Sequence, residues 1–95
     1  MKLLCCAAMA GLAIAAIVSP AARAADPEFC QDYAHSAVEQ AQHALHRRSC
    51  EYLVDGRRFS LDYRNHYNWC LSAHRHEADE EREWRHEALE RCEYH

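Results

Sequence analysis

Three histidines and one glutamate recur along a single stretch of this chain at spacings that suit a transition-metal site. On an α-helix, where each residue turns by about 100°, the four side chains fall within about 80° of one another. The four residues are His35, Glu39, His43 and His46. Imidazole and carboxylate groups one helical turn apart hold Zn²⁺ or Cu²⁺ weakly when nothing else fixes them. The spacing predicts a weak Zn or Cu site, and a solvated polar helix face is the alternative.

A second group combines aromatic rings with arginines in the middle of the chain. Its members are Arg57, Arg58, Tyr63, His66, Tyr67 and Trp69. Aromatic platforms beside arginine are typical of sites for sugars, peptides or anionic ligands. The group therefore predicts a ligand-binding surface. Core packing is the alternative, because a small chain also needs its rings to fill its interior.

Catalytic chemistry has little support in the sequence. The serines follow no nucleophile-elbow pattern, and the chain contains neither an HExxH nor a CxxCH motif. His66 and Asp62 are four residues apart and come nearest to an acid–base pair, but a surface hydrogen bond is the simpler interpretation. We expect no enzymatic activity.

Residues 1–24 have the three parts of a secretory signal peptide. Lys2 supplies the positive charge, an apolar run follows from Leu3 to Val18, and Ala22-Arg23-Ala24 forms a small-x-small cleavage site. The apolar run falls short of the roughly 20 residues that span a bilayer. The sequence predicts a single mature domain at residues 25–95, periplasmic or secreted, with no membrane attachment after cleavage.

Charge excludes one class of partner for the mature chain. Residues 25–95 contain nine arginines and 15 acidic residues, a net charge of −6. A negative chain without a basic stripe is a poor binder of nucleic acid. Eight histidines would raise the net charge to +2 if all became protonated while the acids stayed ionised. This charge change motivates a second functional hypothesis, an acid-responsive stress or chaperone-like protein.

The elements that position these groups are helical. Apolar residues recur every three or four positions from Glu28 to about Arg48, which predicts a helix with an alanine-rich buried face. Residues 49–59 are the least regular part, with a short extended stretch at 52–54. Ser60 is a plausible cap for a short middle helix, and a last helix is predicted at about 73–93. The predicted fold is an all-α antiparallel hairpin with a short middle helix.

Four cysteines remain after the leader, at near-even spacing. They are Cys30, Cys50, Cys70 and Cys92. An even set in a short exported chain predicts two disulfides, for which three connectivities exist. In an antiparallel hairpin, nested pairing of Cys30 with Cys92 and of Cys50 with Cys70 would fasten both ends. We therefore expect nested pairing, although the sequence does not exclude the other two.

Part of the chain resembles a group of short exported proteobacterial proteins. The residues that carry the resemblance are Cys30-x-x-Tyr33-Ala34-x-x-Ala37-x-x-Gln40, then Cys50, then His66-Tyr67-Asn68-Trp69-Cys70. The resemblance covers about half of the mature chain, and it implies a bacterial periplasmic location and a cysteine framework. It carries no catalytic or binding residues. We expect a non-enzymatic binding module whose partner is a protein, a small molecule or a metal ion.

Overall fold

The computed structural model describes residues 24–94, and every regular element in this range is helical. The predicted signal peptide at residues 1–24 lies outside the described residues, except for its last position. The elements are α1 (Pro27–Leu45), a first 3₁₀ helix (Arg48–Asp55), a second 3₁₀ helix (Arg57–Phe59), α2 (Tyr63–Leu71) and α3 (Arg75–Glu93). The predicted all-α fold stapled by two disulfides is confirmed. Within the described range, no helix is both long and apolar enough to cross a membrane.

Helix α1 follows the predicted pattern closely. The Asp26 carboxylate accepts a hydrogen bond from the Phe29 backbone N–H at 2.7 Å, and Pro27 occupies the first turn. The buried positions are Cys30, Tyr33, Ala34, Ala37, Ala41 and Ala44. Because four of these six side chains are alanines, neighbouring elements approach the α1 backbone closely.

The segment after α1 differs from its prediction. The stretch expected to be extended at 52–54 is 3₁₀-helical, within Arg48–Asp55. The predicted Ser60 cap is also displaced, because the Asp62 carboxylate caps α2 by accepting from the Arg64 N–H at 3.0 Å. Ser60 instead forms the turn before the helix, where its hydroxyl accepts from the Asp62 N–H at 3.0 Å.

The two long helices run in the same direction, which differs from the predicted antiparallel hairpin. At their starts, the Arg75 Cζ atom lies 4.5 Å from the Phe29 ring centroid. At their ends, Glu93 forms ion pairs with His43 and Arg47. The connection between α1 and α3 explains this direction, because residues 46–74 include all of α2, which runs antiparallel to α1. That helix returns the chain to the start of α1 before α3 begins.

The predicted nested pairing of the cysteines is wrong. Cys30 bonds to Cys70, with their Cα atoms 5.6 Å apart, and Cys50 bonds to Cys92, with a Cα–Cα distance of 5.3 Å. Nested pairing would place the end of α3 beside the start of α1. Because α1 and α3 are parallel, the end of α3 lies beside the end of α1, and the two later cysteines exchange partners.

Each disulfide belongs to one of two small hydrophobic clusters. The Cys50–Cys92 bond packs with Phe59, Leu89 and alanines of α1 and α3. The Cys30–Cys70 bond packs with Tyr33 and further alanines. Few large side chains are fully buried in either cluster, so the covalent bonds occupy positions that aliphatic side chains fill in larger domains.

Candidate functional site

A pocket opens between the second 3₁₀ helix and the three α-helices, and Trp69 stands at its edge. Its volume is about 270 Å³. Its lining consists of three rings (Tyr33, His66 and Trp69) and five polar or charged side chains (Arg57, Arg58, Asn65, Glu81 and Arg85). This cavity, called the Trp69 pocket below, lies just under the range of about 300–1,000 Å³ that is usual for small-molecule sites.

Local helix geometry brings the rings together. His66 and Trp69 are three residues apart on α2, so they share the face that also carries the Cys70 disulfide to α1. The Trp69 ring centroid lies 5.5 Å from that of Tyr33, with the planes tilted by 35°. Tyr33 is buried, whereas 42% of Trp69 is exposed. The indole therefore presents an open surface above a fixed aromatic base.

Glu81 and Arg58 form the tightest ion pair at the pocket. The Arg58 guanidinium donates from Nε and Nη2 to the two carboxylate oxygens, at 2.7 and 2.8 Å. Its Cζ atom also lies 3.4 Å from the centroid of the Trp84 ring. This pairing with Glu81 raises the pKa of Arg58. Both oxygens of the carboxylate are thus occupied by one guanidinium.

Arg85 is the most unusual side chain in the site, because it is an arginine that is only 1% exposed. Its Nε donates to the Gln40 side-chain oxygen at 2.6 Å, and Nη1 donates to the Arg58 carbonyl at 3.3 Å. Nη1 also lies 3.6 Å from Glu81. Among the described residues, Nη2 has no partner at hydrogen-bond distance and angle, although the neighbouring Tyr33 hydroxyl interacts with the Arg85 guanidinium strongly enough to oppose the rise of the Tyr33 pKa. Burying a charged group with an unpaired donor costs free energy of folding. Arg85 therefore indicates that this side of the pocket is a candidate binding site.

His66 is buried and held in one tautomer. Its Nε2 lies 2.7 Å from the Ser60 carbonyl oxygen, which can only accept, so Nε2 carries the proton. Burial lowers the pKa of His66, and the charge of Arg85 lowers it further. The Ser60 hydrogen bond and the carboxylates of Asp62 and Glu81 oppose that shift. Burial also raises the pKa of Tyr33, while the charge of Arg85 and a hydrogen bond with it oppose the rise, so the hydroxyl remains neutral.

The structure brings together four of the six residues predicted to bind a ligand: Arg57, Arg58, His66 and Trp69. The other two, Tyr63 and Tyr67, do not line the pocket. Their rings stack on each other with centroids 6.1 Å apart, and Tyr67 packs against the Cys30–Cys70 cluster. Core packing therefore accounts for Tyr67.

Four pocket residues are additional to that prediction: Tyr33, Asn65, Glu81 and Arg85. A signal for Arg85 exists in the spacing of α3. The buried residues Ala78, Ala88 and Cys92 recur at helical intervals, and Arg85 lies three residues before Ala88 on the same stripe. A charged residue within a buried stripe indicates a polar site in the interior.

The predicted metal-binding row is not assembled into one site. His35 lies 3.4 Å from Glu39 on the exposed surface, while His43 contacts Glu93 of α3. The Nδ1 atom of His46 donates to the Gln42 carbonyl at 2.8 Å. Within residues 24–94, no three His, Cys, Asp or Glu side chains are placed to hold a metal ion. Binding of Zn or Cu by this row stays a prediction.

Comparisons with known proteins identify no relative of this chain. No protein-family model matches the chain, and no match is found among curated proteins or solved structures. The resemblance to short exported proteobacterial proteins therefore stays a prediction, and functional inference depends on the Trp69 pocket.

Proposed function

We propose that this chain is a non-enzymatic, exported module that binds a small molecule in the Trp69 pocket. The observation that carries the proposal is Arg85, a buried guanidinium whose Nη2 has no partner among the described residues of its own chain. Buried charges in proteins are normally satisfied, and a ligand oxygen at this pocket would satisfy this one. Binding is favoured over catalysis because the histidine in the pocket donates its Nε2 proton to a backbone carbonyl.

The covalent framework supports an oxidising compartment. All four cysteines in the described range are paired in disulfides, and such bonds are typical of secreted and periplasmic proteins. We propose the bacterial periplasm as the location, in keeping with the signal peptide predicted from the sequence.

The test of the binding function is an NMR titration of the mature, disulfide-bonded chain. The probes are benzoate, benzamide, benzylammonium and glucose, which together sample anionic, neutral, cationic and sugar chemistry. We expect at least one probe to shift the backbone amide signals of Asn65, His66 and Trp69 at millimolar concentration. The amides of the first 3₁₀ helix, Arg48–Asp55, should stay unchanged.

Two variants make this test specific. Trp69→Ala removes the ring at the edge of the pocket and should abolish the shifts. Tyr52→Ala removes a ring that is 66% exposed on the first 3₁₀ helix, and it should leave them unchanged. Shifts that persist in Trp69→Ala, or no response to any of the four probes, would contradict a binding function for this pocket.

Buried His66 favours the second candidate function, an acid-responsive stress or chaperone-like protein. A histidine that is buried in its neutral form opposes protonation in the folded state but not in the unfolded state. Acid would therefore weaken the packing around α2 and expose apolar surface. A hydrophobic dye should then bind below about pH 5, and unchanged dye binding down to pH 3 would exclude this candidate.

The lowered pKa of His66 predicts a defined pH dependence of stability. The unfolded chain takes up a proton near pH 6.5, whereas the folded chain does so only at lower pH. The free energy of unfolding should therefore be intact above pH 6.5. It should fall between there and the folded-state pKa by up to about 1.4 kcal/mol per pH unit. Urea denaturation at pH 7.5 and pH 5.5 measures the difference.

A matched pair of variants isolates this contribution. His66→Gln keeps a side-chain donor without titrating and should reduce the difference between the two pH values. His35→Gln, on the exposed face of α1, should leave it as in the parent chain. Glu93 acts in a separate range: its hydrogen bond from His43 lowers the pKa of the carboxyl, so its contribution is lost below about pH 4.5. If the difference in stability between pH 7.5 and pH 5.5 is the same in the parent chain, His66→Gln and His35→Gln, His66 is not responsible for it.

A further inference from the structure

We propose that the ligand of the Trp69 pocket is a small planar carboxylate, with its carboxylate held by Arg85 and its ring against Trp69. This inference rests on the proposed binding function and goes further by naming a chemical class. It follows from the balance of charge around the pocket and from the shape and openness of its aromatic side.

The charges of the pocket side chains are unbalanced. Three arginines line the pocket (Arg57, Arg58 and Arg85), but Glu81 is the one carboxylate among the lining residues. That carboxylate is bound through both oxygens by Arg58, so Arg85 shares it only at 3.6 Å. A second anion at the pocket would complete the pairing that a buried guanidinium requires.

The charge of the pocket is also opposite to that of the whole chain. The sequence carries a formal net charge of −4, whereas the lining side chains sum to +2 with His66 neutral. A cationic pocket in an acidic chain selects for anions locally, while the remaining surface repels them. Arginine binds carboxylates through charge-assisted hydrogen bonds, and Nη2 of Arg85 is the donor left for such a bond.

The aromatic residues define the rest of the ligand. Trp69 is 42% exposed and lies over the buried Tyr33 ring, which offers a flat apolar surface of fixed orientation. The volume of about 270 Å³ limits the ligand to a small molecule. Asn65 adds an amide at the pocket for one further polar group. A single ring bearing one carboxylate meets the conditions of charge, flatness and size.

The test compares four named probes by isothermal titration at pH 7.5 with the mature, disulfide-bonded chain. Benzoate carries both proposed features, benzamide lacks the charge, acetate lacks the ring, and benzylammonium reverses the charge. We expect benzoate to bind at least tenfold more tightly than each of the other three, as one charge-assisted hydrogen bond from Nη2 of Arg85 provides. Equal or tighter binding of benzamide, acetate or benzylammonium would overturn the proposed ligand class.

Two variants test whether the preference for benzoate arises in the Trp69 pocket. Arg85→Lys keeps the charge but removes the Nη2 donor, and it should reduce benzoate affinity at least tenfold while leaving benzamide affinity unchanged. Because Arg85 is buried, circular dichroism must first show a folded chain. Arg57→Gln provides an independent variant at an exposed pocket residue, with Arg64→Gln on α2 as its matched control. Arg57→Gln should weaken benzoate several-fold and Arg64→Gln should not.

The outcomes separate this inference from the binding function itself. If benzamide or benzylammonium shifts the pocket amides as strongly as benzoate does, the pocket binds small molecules but the carboxylate assignment is wrong. If none of the probes in the NMR titration acts on the pocket, the binding function fails, and the ligand class fails with it. Equal loss of benzoate and benzamide in Arg85→Lys would assign Arg85 a structural role only.

Discussion

A variant with alanine at both Cys30 and Cys70 is expected to lose about 4 kcal/mol of its free energy of unfolding. The two residues are 40 positions apart, and closing a loop of that length restricts the unfolded chain by about this amount. Domains of this size have total stabilities of about 4–10 kcal/mol. The loss is therefore a large share of the whole, and urea denaturation against the parent chain measures it.

The design of this variant also tests the pairing. Removing Cys30 and Cys70 together should leave one intact disulfide and no free thiol in the mature chain. Removing Cys30 and Cys92 together, the pair expected from an antiparallel hairpin, should leave two unmatched cysteines. Thiol titration under denaturing conditions distinguishes the two. Two free thiols in the first variant and none in the second would contradict the crossed pairing.

Replacing Glu81 with glutamine is expected to lower the free energy of unfolding by about 3 kcal/mol. The change removes the carboxylate that two guanidiniums share and leaves Arg85 buried without an anion. Breaking a buried ion pair on one side typically costs about 3–5 kcal/mol. The lower value applies because 18% of the Glu81 side chain is exposed. The measurement is urea denaturation at pH 7.5.

Glu83 provides the matched control for this prediction. It lies on the same helix and is exposed, so Glu83→Gln should change stability by no more than about 0.5 kcal/mol. Adding benzoate should restore part of the stability of Glu81→Gln if a carboxylate can occupy the vacated charge. Equal stability of the two glutamine variants would show that Glu81 does not neutralise the buried arginines.

The helices were predictable because their signals are local. Asp26 and Pro27 begin α1 as expected, and the three- and four-residue spacing of α1 identifies its buried face. The direction of α3 was not predictable from such signals. It depends on whether residues 46–74 contain a return helix long enough to bring the chain back, and the weak pattern of 49–59 concealed the compact 3₁₀ turns that make this possible.

The candidate site was predictable only where its residues are close in sequence. Arg57, Arg58, His66 and Trp69 lie within 13 positions, and their shared character was visible without a structure. Glu81 and Arg85 come from another helix, and their four-residue spacing resembles an ordinary surface ion pair. Their importance depends on burial, which the direction of α3 determines. The histidine row fails to assemble for a similar reason, because α3 provides Glu93 as a separate partner for His43.

The crossed disulfides have a consequence for resistance to proteases. A cut in α1 between Cys30 and Cys50, together with a cut in α3 between Cys70 and Cys92, would divide the backbone into three pieces. Because the middle piece holds both Cys50 and Cys70, it stays bonded to each of the others. Nested pairing would instead release that middle piece. The chain can thus be nicked in both long helices and remain one covalent molecule until a reductant is present.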